Sequence, residues 1–135
     1  MAGYVLDTTA VMAVILTEEG ADAVRDVVYG PERVRLPFVV LMEVEYKLRQ
    51  IKPEAVDEAL SIIDSWPVLL VESYYRWRRE AARLKARAQV SFADAWVAAL
   101  ALLDDAELVH KDPEFDALGE LKAYRLPYRP RSRRS

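Results

Sequence analysis

Apolar residues along this chain follow two different spacings, which predict alternating strands and helices. Short apolar runs predict strands at 4–7, 34–38, 67–72, 107–110 and 122–126. Apolar residues three or four positions apart predict helices at 8–16, 18–29, 39–49, 53–65, 74–88 and 91–103. Strands that alternate with helices are typical of a parallel sheet covered by helices on both faces, so we expect an α/β fold.

The composition predicts a single globular domain. The chain has 135 residues, of which 53% are hydrophobic, and this is enough to build one core. It has no cysteine, so we expect neither disulfides nor thiolate metal ligands, and we expect a cytoplasmic location. The opening residues MAGYVLD do not have the pattern of a secretory leader, and the longest apolar run, AWVAALALL, is too short to cross a bilayer. We therefore predict no association with a membrane.

Charge is unevenly distributed along the chain. The net charge is −3, yet the last eleven residues, RLPYRPRSRRS, contain five arginines and no acid. An acidic body with a basic end is typical of proteins that meet a polyanion or an acidic partner, although a solvated, disordered terminus gives the same pattern. We predict a folded domain at 1–126 and a basic, flexible tail at 127–135.

Three aspartates occupy positions where a site could form. Asp7 and Asp112 follow predicted strands, and Asp94 lies near the start of a helix that carries no other charge. Each also has a local explanation, because an aspartate before a helix can cap it, and Ser91 with Asp94 resembles a capping box. The carboxyl ends of parallel strands meet at one edge of a sheet, which favours a shared site.

Carboxylates that converge repel one another and require a cation. Oxygen ligands, without cysteine or several histidines, suit Mg²⁺ or Mn²⁺. Such an ion can orient a phosphodiester and assist its hydrolysis. The third predicted helix adds two candidate glutamates, but periodicity does not choose between Glu43 and Glu45, and a solvated surface position explains either residue.

Two further features have alternative explanations. His110 is the only histidine and precedes Asp112 by two residues; at a strand end a structural role is the more common one, with general base or metal ligand as the alternative. Four arginines share one face of the predicted helix at 74–88 and could either contact phosphates or form a solvated outer face. These are Arg76, Arg79, Arg83 and Arg87.

Four motifs follow one another along the chain at characteristic spacings. They are VLDTTAV, PFVVLMEVEYKL, VSFADAWVAALAL and ELVHKDPEFDAL. Together they resemble the PIN-domain ribonucleases, and in particular the VapC-type toxins of toxin–antitoxin pairs, over residues 4–126. The register of the resemblance selects Glu43 over Glu45. The visible departure is His110, where that family often has threonine.

The resemblance implies a three-layer α/β/α sandwich with a short central parallel sheet and a pocket of four acids. The acids that would hold the metal and support catalysis are Asp7, Glu43, Asp94 and Asp112. Thr9 would orient Asp7 or the attacking water, and Asp116 would be an additional residue beside the acids. The resemblance also implies an endoribonuclease that uses Mg²⁺ or Mn²⁺ to cut RNA, a homodimer, and a cognate antitoxin that blocks the pocket.

Three other functions fit parts of this pattern. A non-catalytic RNA- or protein-binding module on a PIN-like fold would keep the arginine face and lose the metal chemistry, and a housekeeping PIN nuclease would share the same four acids. A phosphatase of the haloacid dehalogenase type also begins with an aspartate at a strand end, but it needs a second aspartate two residues later, where this chain has Thr9. The intact set of four acids favours a nuclease.

Overall fold

The computed structural model describes residues 3–127 and contains a five-stranded parallel sheet. The strands are β1 (Tyr4–Leu6), β2 (Val34–Pro37), β3 (Leu69–Val71), β4 (Glu107–His110) and β5 (Ala123–Arg125). They lie in the order β3-β2-β1-β4-β5, and every neighbouring pair is parallel. The strand order therefore reverses between β1 and β4, and open α/β sheets form their binding crevices at such a point.

Six α-helices flank the sheet within the described residues. They are α1 (Thr8–Ile15), α2 (Ala21–Val28), α3 (Phe38–Ile51), α4 (Val56–Asp64), α5 (Tyr75–Arg87) and α6 (Phe92–Leu103), with short 3-10 helices at Pro53–Ala55 and Pro113–Ala117. A central parallel sheet between layers of helices is the α/β/α sandwich that the sequence predicts, so the predicted fold class is confirmed.

The core is built from aliphatic side chains of the central strands and of the helices that cover them. Helix α6 is the clearest example, since its only charged side chain is Asp94 and residues 95 and 97–101 are buried. A helix that is apolar on all sides must be covered by other elements, and both α3 and α5 pack against α6. Trp77 of α5 is fully buried and donates a hydrogen bond from Nε1 to the Trp96 carbonyl at 2.7 Å, which fixes α5 on α6.

Some helix boundaries differ from the predicted ones by a few residues. Helix α2 begins at Ala21 rather than at position 18, because Gly20 takes a left-handed conformation with a φ of 96° just before it. Helix α3 continues to Ile51 instead of ending at position 49. Pro53 opens a short 3-10 helix rather than the first turn of α4.

Two predictions concern the chain beyond this core. The predicted basic tail, apart from Pro127, lies outside the residues that the structure describes. Within residues 3–127, no helix combines the length and the apolar character needed to cross a membrane.

The ends of the strands bring predicted site residues to one edge of the sheet. Asp7 directly follows β1, and its backbone N–H donates to the Val109 carbonyl of β4 at 3.2 Å. Asp112 follows β4 by two residues, so the two aspartates leave neighbouring strands side by side. Helix α3 starts immediately after β2 and carries Glu43 in its second turn.

Candidate active site

Asp7 is buried between β1 and α1, with 2% of its surface exposed. Its Oδ1 accepts a hydrogen bond from the Ala10 N–H at 2.9 Å, so it does cap α1. The Thr9 hydroxyl lies 2.7 Å from Oδ1 and 2.8 Å from Oδ2 and donates to the carboxylate. Capping accounts for the local contacts of Asp7, but it does not account for the other carboxylates that the fold brings near it.

Thr9 connects the ends of the two central strands. While its hydroxyl donates to Asp7, its oxygen accepts a hydrogen bond from the Lys111 backbone N–H at 2.8 Å. Lys111 immediately precedes Asp112, so one hydroxyl fixes the Asp7 carboxylate relative to the turn that carries Asp112. This is an orienting contact of the kind expected for Thr9.

Asp94 lies in the first turn of α6, where the sequence suggests a capping box. The Ser91 hydroxyl does accept from the Asp94 N–H at 3.1 Å. The Ser91 N–H, however, donates to Oε1 of Glu114 at 2.6 Å and not to the Asp94 side chain. The cap of α6 is thus completed by a distant residue, because the 3-10 helix after β4 packs its first turn against the start of α6.

The carboxylates of Asp94, Asp112 and Glu114 form a compact group. Each offers an oxygen that lies within 4.8 Å of an oxygen of the other two. Asp112 caps the 3-10 helix that carries Glu114, since its Oδ1 accepts from the Glu114 N–H at 2.9 Å. Glu114 is the residue that the sequence prediction missed. The available signal was its place two residues after Asp112, in the first turn of a capped helix.

Glu43 and Glu45 point to different surroundings. The Thr8 hydroxyl, next to Asp7 in the chain, donates to Oε1 of Glu43. Glu45 instead forms an ion pair with Arg49 at 2.7 Å on the outside of α3. The structure therefore places Glu43, and not Glu45, beside the acids.

Burial and mutual repulsion raise the pKa of two of these acids. Burial raises the pKa of Asp7 to about 7, with further contributions from the charges of Asp112 and Glu43, against the hydrogen bonds from Ala10 and Thr9. Burial also raises the pKa of Asp94 to about 8, and the charges of Asp112, Glu114 and Asp7 add to the effect. The acids from four elements therefore act on one another electrostatically. A bound cation would relieve their repulsion.

Asp116, predicted beside the acids, is turned away from this group. Its Oδ2 lies 3.3 Å from a guanidinium nitrogen of Arg125 on β5. Its charge also acts on His110, whose pKa it raises against the larger effect of burial. Asp116 therefore lies beside His110 and β5, outside the compact group of Asp94, Asp112 and Glu114.

His110 is fully buried at the end of β4. Its Nδ1 accepts a hydrogen bond from the Asp112 N–H at 3.1 Å, so the neutral ring carries its proton on Nε2. Burial lowers the pKa of the imidazole, and the ring packs edge-on against Phe115 with centroids 5.0 Å apart. Within residues 3–127, Nε2 has no hydrogen-bond partner. These contacts suit a residue that holds the backbone turn before Asp112.

The predicted arginine face lies on α5, largely engaged with neighbouring side chains. Arg83 pairs with Glu80 at 2.5 Å, Arg87 pairs with Glu120 at 2.8 Å, and Arg79 donates to the Tyr75 hydroxyl at 2.7 Å. Three of the four arginines, all except Arg79, line a groove of about 450 Å³ between α5 and the carboxyl-terminal half of α6.

The donors at the sheet edge fit a hard divalent cation. All are carboxylate oxygens, and several are drawn from separate elements, which is the ligand chemistry of Mg²⁺ and Mn²⁺ rather than of softer metals. The residues that could hold such an ion are Asp7, Glu43, Asp94, Asp112 and Glu114.

A model of the PIN domain family matches residues 4–121 of this chain. Among curated proteins no match was found. Solved structures of similar fold include VapBC2 from Rickettsia felis bound to a promoter DNA fragment, with a TM-score of 0.76, 17% identity, and coverage of 92% of this chain and 98% of that one. DNA-bound VapBC from Salmonella typhimurium has a TM-score of 0.76 and 16% identity, with coverage of 93% and 98%. VapC20 from Mycobacterium tuberculosis, described as a toxin that cleaves the sarcin-ricin loop, has a TM-score of 0.74 and 20% identity, with coverage of 93% and 100%.

These three structures share the fold of this chain. Their sequence identity to it is too low to show a shared activity. The family model is more informative because it extends from β1 to the segment after the second 3-10 helix. That span contains both central strands and every acid of the candidate site. This chain therefore belongs to the PIN domain family.

Proposed function

We propose that this protein is a divalent-metal-dependent endoribonuclease that hydrolyses RNA phosphodiester bonds. The observation that carries the proposal is the group of carboxylate oxygens from Asp94, Asp112 and Glu114, with buried Asp7 nearby, at the switch point of a PIN-domain sheet. The ion, when bound, supplies Lewis-acid stabilisation of the charge that develops on the phosphate. Its ligands would be Asp7, Glu43, Asp94 and Asp112, with Glu114 offering a further oxygen.

The rest of the site orients these acids. Thr9 holds the Asp7 carboxylate and the backbone before Asp112 at a fixed separation. Glu114 caps α6 and so positions the turn that carries Asp94. Contacts of this kind restrict the rotation of the ligands, and in metal sites they typically contribute ten- to about a hundredfold in affinity.

The direct test is cleavage of end-labelled RNA by the purified protein, free of any antitoxin, with Mn²⁺, Mg²⁺ or a chelator. We expect internal cleavage that requires the ion. A well-folded protein that binds RNA but leaves it uncut with either ion would contradict the proposal and favour a non-catalytic binding module. In that outcome the arginines of α5, whose contact with RNA stays a prediction, would become the first residues to replace.

Glu43 and Glu45 offer a matched pair on one helix. We expect Glu43→Gln to reduce RNA cleavage about a hundredfold, because Glu43 lies among the acids, and Glu45→Gln to change it by less than about twofold. Initial rates at a fixed Mn²⁺ concentration measure both. Equal rates for the two variants would show that Glu43 is not part of the active site.

A toxin of a toxin–antitoxin pair is the biological role that we propose for this nuclease. The similar structures from Rickettsia felis and Salmonella typhimurium are VapBC complexes. The match extends over 98% of each of those two chains. The partner would then be an antitoxin that blocks the acids, and co-purification with the product of a neighbouring gene would test the pairing.

A second copy of this chain is the partner that we propose for an exposed apolar groove. Helices α3 and α6 form a groove of about 580 Å³ beside Glu43, where Met42 is 69% and Phe92 is 71% exposed. Its lining is almost wholly apolar, as in homodimer interfaces, and monomers rarely expose such a patch.

We expect the protein to sediment as a dimer and the variant M42D/F92D to sediment as a monomer at the same concentration. The control is I51D/I62D, which adds the same two charges at exposed apolar positions at the end of α3 and on α4. Sedimentation velocity measures the change. A dimer that persists in M42D/F92D would show that another surface joins the two copies.

A further inference from the structure

A second pocket adjoins the acids on the side of α1. Its volume is about 290 Å³, and its lining includes Thr8, Thr9, Met12, Lys47 and Lys111. Both threonines of the lining also contact the acids, since Thr8 donates to Glu43 and Thr9 donates to Asp7. The two lysines reach it from α3 and from the turn after β4, so three elements enclose it.

The acidic cluster needs positive charge beside it if an RNA strand is to bind there, and this pocket contains two lysines. Five carboxylates lie at the sheet edge, and one divalent ion leaves the cluster negative unless several acids are protonated. An RNA strand carries one negative charge per phosphate, so its phosphates are repelled by uncompensated acids. Positive groups beside the cluster are therefore needed to hold the strand in place.

Among the described residues that line this pocket, only the two lysine side chains have donors left for an anion. The hydrogens of the Thr8 and Thr9 hydroxyls are already directed to carboxylates. Lys47 Nζ lies 3.7 Å from Oε2 of Glu43, which is close enough for an ion pair but too far for a hydrogen bond. Its donors are not committed by that contact.

Lys111 is held more firmly than Lys47. Its Nζ donates to the Glu19 carbonyl at 2.8 Å and lies 3.6 Å from Oε1 of Glu18, which lines the rim of the pocket. An ammonium group has three donors, so the bond to Glu19 leaves capacity for a phosphate oxygen. The side chain is only 15% exposed, and its contacts with Glu18 and Glu19 hold the ammonium group beside the rim of the pocket.

We propose that this pocket binds an RNA phosphate next to the scissile one through Lys47 and Lys111, with Met12 and Leu16 forming an apolar wall for the ribose. The inference rests on the proposed ribonuclease function, since it names the part of the site that holds the substrate. The competing explanation is that the lysines only neutralise Glu43 and anchor the loop at Glu18 and Glu19.

The two explanations predict different effects on RNA binding, and Mn²⁺ binding shows whether the site is intact. If the lysines hold a phosphate, Lys47→Gln weakens RNA binding while Mn²⁺ binding is unchanged or tighter, because a positive charge beside the acids has gone. If they only neutralise Glu43, Mn²⁺ binding tightens and RNA binding stays as in the wild type. A parallel loss of both ligands would indicate distortion of the site and would overturn the proposal.

The experiment measures binding of a short fluorescein-labelled single-stranded RNA of mixed sequence by anisotropy, with Ca²⁺ in place of Mn²⁺ and with the RNA checked by electrophoresis. We expect Lys47→Gln and Lys111→Gln each to raise Kd about tenfold at low salt. Each should also reduce the slope of log Kd against log salt by about 0.7, the value for one phosphate contact on a single strand. Mn²⁺ affinity is measured on the same variants by calorimetry.

The matched control is Lys122→Gln. Lys122 also forms an ion pair, with Asp105 at 2.5 Å. It directly precedes β5, however, at the amino ends of the strands and away from the acids, so RNA affinity and salt slope should not change. Lys47→Arg and Lys111→Arg keep the charge and should retain most of the affinity. If Lys111→Gln fails to fold, Lys47→Gln carries the test.

The outcome can be separated from that of the proposed function. Wild-type Kd and salt slope in both glutamine variants, or no RNA binding by the wild type, would overturn the pocket proposal even if the protein cuts RNA with Mn²⁺. Conversely, selective loss of RNA binding in those variants would support the pocket even if the wild type cuts no RNA, in which case only the nuclease proposal fails.

Discussion

Replacing Asp94 by asparagine is expected to abolish measurable Mn²⁺ binding and to reduce RNA cleavage by about 10³-fold. The substitution keeps the shape of the side chain and the backbone N–H that Ser91 accepts. It removes the negative charge that acts on Asp112 and Glu114, and it replaces a strong oxygen ligand by a weaker one. Calorimetry with Mn²⁺ and a labelled-RNA assay measure the two losses on one preparation.

Asp7→Asn should also lose Mn²⁺ binding and RNA cleavage, because Asp7 reaches the cluster from the end of β1 while Asp94 reaches it from α6. The control is Asp64→Asn at the exposed end of α4, which changes the net charge equally and should leave both properties intact. Mn²⁺ binding that survives in Asp94→Asn would exclude Asp94 as a ligand. Binding lost in Asp94→Asn but kept in Asp7→Asn would mean that the two aspartates do not share one site.

The fold could be predicted because each central element carries its own signal. Strands β1 and β4 are covered on both faces, so they appear in the sequence as apolar runs. Helix α6 is apolar on every side because it packs against α3, α5 and the strands of the sheet. The boundary of α2 was harder to place. The left-handed turn at Gly20 lies against Leu126, more than a hundred residues away, and this contact leaves no local pattern.

The candidate site could be predicted only in part, for a similar reason. Asp7, Asp94 and Asp112 stand at element boundaries, which the sequence marks. Glu43 and Glu45 flank one apolar stripe, so the choice between them depends on the Thr8 hydroxyl, which belongs to another element.

Local sequence shows that Glu114 follows Asp112 by two residues, but it does not show that Glu114 reaches the start of α6. It touches the Ser91 N–H only because the 3-10 helix after β4 returns to the start of α6. Contacts between distant elements therefore account for the parts of the site that periodicity and capping rules leave open.

The raised pKa values of Asp7 and Asp94 imply that the metal-free protein becomes less stable as pH rises. A carboxyl group whose pKa is higher in the folded than in the unfolded chain binds its proton more tightly in the folded state. Its contribution is most favourable below the unfolded value of 3.8 and is lost as pH rises through the folded value, which is about 7 for Asp7 and about 8 for Asp94. Buried His110 acts in the opposite direction below pH 6.5, because burial lowers its pKa.

Asp94→Asn should therefore melt at a higher temperature than the wild type in metal-free buffer at pH 8, by about 5 °C or more, corresponding to at least about 1 kcal/mol. The difference should shrink at pH 5, where Asp94 of the wild type is protonated, and His110 does not affect the comparison because both proteins contain it. Excess Mn²⁺ should reverse the order, since only the wild type gains stability by binding the ion. Thermal unfolding at both pH values, with Asp64→Asn as the control, measures these effects. If Asp94→Asn is the less stable protein at pH 8 without metal, Asp94 supports the start of α6 more than it repels its neighbours, and the electrostatic argument for a cation at this edge of the sheet fails.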